Sequence, residues 1–246
     1  NLNSVDFVDM QVGYTVGDYG TILKTLDGGS TWVKQQSNTD VSLYSVKFID
    51  NQKGWISGSN GIILHTTNGG TEWILQATGT SSPLTSICFT DDNNGWTVGM
   101  SGLVLKTTDG GSSWVKSQKV TNDNLTSVYF ADPQTGWAVG YYGVIIKTTN
   151  GGSTWYLQNS GTNAYLNSVH FTDSQTGWCA GTNGTILKTH DGGGISEESN
   201  WIIQTSNTSS TLRSICFVNN QQGWISGDNS DLFTTNDYGV TWNKKV

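Results

Sequence analysis

The chain has 246 residues, room for one large all-β domain or two small ones, and only 13% of them are charged, against 31 glycines and 11 tryptophans. That mix is poor in helix formers and rich in strand and turn residues. A formal net charge of −7 and a single arginine, Arg213, exclude a nucleic-acid binder, which needs a basic stripe to displace phosphate counterions, and any mechanism built on a guanidinium cluster.

Read from its amino end, the chain opens on Leu2-Asn3-Ser4-Val5-Asp6-Phe7, and this segment returns throughout. Its serines are Ser4, Ser45, Ser86, Ser127, Ser168 and Ser214, four steps of 41 residues and one of 46. Glycine–aromatic pairs at Tyr14, Trp55, Trp96, Trp137, Trp178 and Trp224 keep the same spacing, as does a ladder at Trp32, Trp73, Trp114, Trp155, Trp201 and Trp242. One five-residue insertion near Gly194 to Asn200 accounts for the irregular step in each series. Such self-similarity marks a repeat architecture.

Within the third copy, four strand-length apolar segments are expected at Leu84–Phe89, Gly95–Gly99, Leu103–Thr107 and Ser113–Gln118, separated by Asp-, Asn-, Gly- and Ser-rich turns. Four short strands per repeat of about 40 residues is the pattern of a propeller blade. The fold predicted is therefore all-β: a six-bladed β-propeller of four-stranded antiparallel blades in a single domain. The blades fall at about 1–41, 42–82, 83–123, 124–164, 165–210 and 211–246. A blade is pressed between two neighbours, so both of its faces are buried. The tryptophans and six of the seven phenylalanines sit on three repeat positions, which assigns them to packing.

The turn before each last strand reads Thr25-x-Asp27-x-Gly29-x-Thr31-Trp32 in the first copy, and Asp109, Asp191 and Asp237 hold the acid position later, with Asn68 and Asn150 in its place in copies two and four. This resembles the Asp box of bacterial-neuraminidase-type repeats. There a short side-chain oxygen closes the turn onto backbone N–H groups and a glycine takes positive φ. These six residues are expected to be structural. The longer unit, with Gly-Trp-x-x-Gly-x-x-Gly between the two motifs, is similar to the photosystem II stability and assembly factor family, whose relatives include secreted and surface proteins of bacteria. For members acting on photosystems the resemblance implies seven blades and an arginine patch; this chain carries six copies and one arginine. Its Asn-, Ser-, Thr- and Gly-rich copies point to an extracellular, cell-surface or periplasmic bacterial protein.

Sialidases share the Asp box, but their site needs three arginines, so that activity is excluded. A glycoside hydrolase would need two carboxylates at a defined separation. Asp9, Asp50, Asp91, Asp132 and Asp173 also recur in turns, which leaves Asp6, Asp18, Asp40, Asp92, Asp123, Asp228, Asp231, Glu72, Glu197 and Glu198 outside the repeat pattern. Asp18 and Asp228, in the same turn of blades 1 and 6, are the best pair for that alternative. The expectation is no catalytic residue. His65, His170 and His190 lack ligand spacing, so no metal and no cofactor is expected. Cys88, Cys179 and Cys216 make no disulfide framework, and no apolar run approaches the ~20 residues of a membrane-spanning helix.

Function on a propeller is grafted onto its loops. The turns between second and third strands and the connections between blades share one face, opposite the Asp boxes. Five of the nine tyrosines fall there: Tyr19, Tyr44, Tyr141, Tyr142 and Tyr165, among Asn60, Asn183, Asp18, Asp228 and Arg213. Tyrosines with adaptable polar neighbours suit peptide or glycan contacts. The leading reading is a non-catalytic binding or scaffold module for a protein or glycan partner. The alternative is a structural subunit of an extracellular assembly, joined by self-association or by neighbouring domains of a longer chain.

Overall fold

In a computed structural model, residues 1–194 and 200–245 are described. Glu197, Glu198 and most of the predicted insertion lie outside them. Each copy of the repeat folds as one four-stranded antiparallel sheet whose strands follow chain order, and there are six such sheets. The fold is the six-bladed β-propeller that the repeat predicts. Two compact units are distinguished, Asn1–Ser117 and Gln118–Val246, each holding three blades.

In the first unit the innermost strands are Leu2–Phe7, Leu43–Phe48 and Leu84–Phe89, paired with Gly13–Gly17, Gly54–Gly58 and Gly95–Gly99. The third and fourth strands of blade 3 are Val104–Thr107 and Val115–Lys116. Both are shorter than expected. Leu103 instead closes the preceding turn, donating its N–H to the Met100 carbonyl at 3.3 Å. The outermost strand presents one face to water, with Val115 exposed, so little burial extends it. In the second unit the innermost strands are Leu125–Phe130, Leu166–Phe171 and Leu212–Phe217, paired with Gly136–Gly140, Gly177–Gly181 and Gly223–Gly227.

The core is built between successive blades, with one recipe in both units. Tyr14, Val16 and Ile22 of blade 1 meet Leu43, Val46, Phe48, Ile56, Leu64 and Trp73 of blade 2. In the same way Trp137, Val139 and Ile145 of blade 4 meet Leu166, Val169, Phe171, Cys179, Leu187 and Trp201 of blade 5. The aromatic of one blade lies flat on the phenylalanine of the next: Tyr14 on Phe48, Trp55 on Phe89, Trp137 on Phe171 and Trp178 on Phe217, with centroids 3.7, 3.6, 3.5 and 3.7 Å apart. Polar ends of these rings reach the neighbouring Asp-box turn. Trp55 Nε1 donates to the Gly110 carbonyl at 3.0 Å and Trp137 Nε1 to that of Gly192 at 2.9 Å. The recurring lysine serves the same turn, as Lys24 Nζ donates to the Gly69 carbonyl at 2.7 Å. In blade 2 His65 replaces it and stacks on Trp55 at 4.7 Å. Burial and the nearby Lys53 charge push its pKa down.

The Asp-box turns are local hydrogen-bond knots. Asp27 Oδ1 accepts from the Thr31 N–H at 2.8 Å and the Thr25 hydroxyl at 2.8 Å, and Oδ2 accepts from the Thr31 hydroxyl at 2.6 Å. Asp109 and Asp237 repeat this set. In all three the hydroxyl and N–H donors hold the carboxyl at about 2. Asn68 and Asn150 keep the amide-oxygen half, accepting from the N–H groups of Glu72 and Thr154 at 2.9 Å each. Asn150 Nδ2 then donates to the Thr154 hydroxyl at 2.8 Å, the reverse of the Asp case. Asp191, which precedes the insertion, accepts from the Gly193 N–H at 3.0 Å and from Asn200 Nδ2 at 2.7 Å.

Candidate functional site

A β-bulge at the start of every innermost strand shapes the loop face. The register slips between Leu2 and Ser4, Leu43 and Ser45, Leu125 and Ser127, Leu166 and Ser168, and Leu212 and Ser214. The extra residue is the middle one of each Leu-x-Ser, and a bulge re-aims that side chain. Asn3, Thr126 and Asn167 use the new direction to donate to the Leu43, Leu166 and Leu212 carbonyls of the next blade at 2.9, 2.6 and 2.8 Å. They are struts between blades. Tyr44 instead meets the Ser59 hydroxyl at 2.7 Å, beside Asn60 in its own blade. Arg213 turns to Asp228, to which its Nε and Nη2 donate at 2.8 and 2.9 Å.

The turns after each second strand are tied back to the start of their own blade. Tyr141 N–H donates to the Asn124 carbonyl, Thr182 N–H to that of Tyr165 and Asp228 N–H to that of Thr211. The middle residue of each turn is left-handed: φ is 57° at Tyr19, Asn60, Ser101, Tyr142 and Asn229, and 58° at Asn183. Asparagine tolerates this region better than most residues. The next position needs glycine for a second reason. At Gly143, with φ of 74°, a Cβ would stand 1.9 Å from the Thr162 carbonyl oxygen. That close approach packs the turn against the connection between blades, which carries Tyr165.

Three tyrosines meet there in the second unit. The rings of Tyr141 and Tyr165 stack with centroids 4.4 Å apart and planes within 4°. Tyr142 stands edge-on to both, at 6.4 and 5.1 Å, and is 58% exposed. The Tyr142 hydroxyl and partial burial push the Tyr165 phenol above its ordinary range. Tyr165 also lines a cavity of about 520 Å³, together with Thr162, Asn163, Ala164, Thr182, Asn183 and Thr185. The structure thus gathers Tyr141, Tyr142, Tyr165 and Asn183 in one place. In the first unit, Tyr19 projects into water from its own turn, while Asn60 lines a separate groove with Ile62 and Leu75.

Several of the carboxylates left over by the repeat have local partners. Asp6 pairs with Lys47 at 3.2 Å and accepts from the Phe48 N–H. Asp18 accepts from the chain's amino group and from the Asn1 and Asn3 side chains. Asp92 pairs with Lys53, and Asp231 with Lys244 and the Thr208 hydroxyl. Asn3 and the amino group at Asp18, and Arg213 at Asp228, hold both carboxyls below their usual range. Cys88 and Cys179 are buried and Cys216 is exposed, all as free thiols. Among the described residues, no three His, Cys, Asp or Glu side chains cluster to hold a metal ion.

Six four-stranded blades closed by Asp-box turns, with an aromatic cluster on the loops, define a propeller of the BNR-repeat class. The chain belongs to the Photosynthesis system II assembly factor YCF48 family, which it matches over residues 1–78, 74–161 and 155–246. A structure of YCF48 bound to D1 peptide is similar over 100% of this chain and 82% of that one, at 24% identity and a TM-score of 0.80. YCF48 from Cyanidioschyzon merolae is similar over 99% and 84%, at 19% identity and a TM-score of 0.79. The Niastella koreensis GH74 enzyme, with a TM-score of 0.80 and 16% identity, is covered over only 45% of its length. At these identities the likenesses show the fold. No curated protein sequence matches the chain.

Proposed function

We propose that this chain is a non-catalytic module that binds a segment of another protein on the loop face of blades 4 and 5. The observation that carries this reading is the Tyr141–Tyr165 stack with Tyr142 edge-on beside it, next to a polar cavity of about 520 Å³. Tyrosine offers broad apolar contact with a hydroxyl at its tip, at low cost in side-chain entropy. Here the rings brace one another. Thr162, Asn163, Thr182 and Asn183 supply donors and acceptors for a peptide backbone. Membership of the YCF48 family and the D1 peptide bound by one such propeller support a protein partner.

The glycosidase reading has less support. A general acid needs a carboxyl held protonated near neutral pH, whereas Asp18 and Asp228 are both shifted downward by their partners.

The test is a combined peptide and glycan array, followed by titration of each hit. The control is Tyr141→Ser with Tyr142→Asn, which writes the turn of blade 2, Ser59-Asn60, into blade 4 without disturbing the left-handed position. A peptide hit weakened at least about tenfold by the pair is expected, as for loss of an aromatic anchor. A peptide hit indifferent to the pair, or binding to glycans alone, would remove this reading.

A further inference from the structure

The three tyrosines of blades 4 and 5 leave ring faces open. Tyr142 stands 5.1 Å from Tyr165 and 6.4 Å from Tyr141, while those two are 4.4 Å apart. A ring set on the outer face of either stacked partner would be roughly twice as far from one as from the other. Tyr142 therefore stands alongside the pair and caps neither end of it. Its own ring is 58% exposed. The backbone holds this arrangement from behind, since the Tyr141 N–H donates to the Asn124 carbonyl at 2.9 Å and Gly143 presses on that of Thr162. Rings placed before a ligand arrives lower the cost of ordering them on binding.

The charges around the rings select the sign of that ligand. Between Val120 and Thr211, histidines aside, the cations are Lys147 and Lys188. Both are buried and lie over the Trp137 and Trp178 rings at 5.5 and 5.4 Å, and Lys188 donates to the Tyr238 carbonyl in the Asp-box turn of blade 6. Lys119, next along the chain, follows the outermost strand of blade 3. In blade 6, Arg213 is taken up by Asp228. The loop face of blades 4 and 5 carries an acid instead. Asp123 adjoins Asn124, accepts from the Thr121 hydroxyl at 3.0 Å and, among the described residues, pairs with no cation. Ring faces present the negative side of their quadrupole. A cationic group thus meets favourable charge here, and an anionic one meets none.

Resting on the reading of this surface as a peptide site, we propose that the tyrosine cluster is the pocket for an arginine side chain of the partner segment. A guanidinium is planar and permanently charged, so it lies flat on a phenol ring, where cation–π attraction and stacking act together. Its in-plane N–H donors remain free for oxygens around the rings, among them the hydroxyl and amide oxygens of Thr162, Thr182 and Asn183 that line the adjoining cavity. Lysine keeps the charge but lacks the plane. At longer range the net charge of −7 favours a partner segment of the same positive sign.

The probes are the peptides that bind on the array, resynthesised with each arginine changed to citrulline, its neutral near-isostere, or to lysine. Each is titrated by fluorescence anisotropy against the protein and against Tyr142→Asn, which gives this left-handed turn the residue that Asn60 and Asn183 already supply in blades 2 and 5. Citrulline is expected to weaken binding at least about tenfold and lysine at least about threefold, and the citrulline effect should shrink below about twofold in Tyr142→Asn. Peptides that need Tyr142 but contain no arginine, or that tolerate citrulline, overturn the arginine pocket and leave the peptide site standing; a proline-rich segment laid on the rings would give that result. A lysine peptide that binds as tightly also overturns the assignment to arginine. If no peptide binds, or if binding is indifferent to Tyr142, the peptide site and the arginine pocket fall together.

Discussion

At the scale of single residues, the Asp-box acids show how a recurring side chain can look reactive while holding a turn. Asp27, Asp109 and Asp237 sit at about 2, below the ordinary 3.8. The folded state therefore favours the ionised form. This contribution to stability is complete above about pH 4 and is lost as pH falls toward 2. Replacing all three by asparagine, the residue blades 2 and 4 already use, is expected to leave the neutral fold intact. It should also flatten the fall of urea-unfolding stability between pH 4 and 2; an unchanged slope would mean these carboxylates do not drive it. A second expectation concerns Gly143. Alanine there meets both a φ of 74° and a carbonyl oxygen 1.9 Å from its Cβ, so Gly143→Ala should cost about 1–3 kcal/mol in urea unfolding.

At the scale of the blade, position in the repeat decides what a tryptophan is worth. Trp55 is buried, stacked on Phe89 and hydrogen bonded to Gly110. Its truncation to alanine should cost about 3–5 kcal/mol. Trp224 has the same repeat position but a face open to water, and Trp224→Ala in this chain should cost about 1 kcal/mol or less. Equal losses for the two would contradict the exposed face of blade 6. The four-strand meander, the aromatic packing and the turn chemistry were all legible in the sequence, because each depends on residues a few positions apart that recur six times. The bulges were not. The middle residue of Leu-x-Ser is re-aimed there, and in Asn3, Thr126 and Asn167 it braces the next blade. Only the strand register reveals that turn of the side chain.

At the scale of the whole molecule, charge is the property carried most directly from sequence to behaviour. With a net charge of −7 and a sequence pI near 4.7, solubility should pass through a minimum close to pH 4.7 in a turbidity titration. At neutral pH the protein should run unretained through heparin; retention would reveal a basic patch that the composition does not suggest.

By itself the sequence determined the number and kind of blades, the residues that fill them and the Asp-box turns, since a repeat places the same short-range chemistry at the same interval. Tertiary structure alone decided which loop tyrosines share a site. Tyr141, Tyr142 and Tyr165 meet because Gly143 lets one turn press against the connection that carries Tyr165, whereas Tyr19 and Tyr44 remain in turns of their own. Tertiary structure also decided which copies of a repeated face are covered. Phe7 and Trp224 read as core in sequence, but burial depends on the neighbour that packs against a residue as well as on the residue itself.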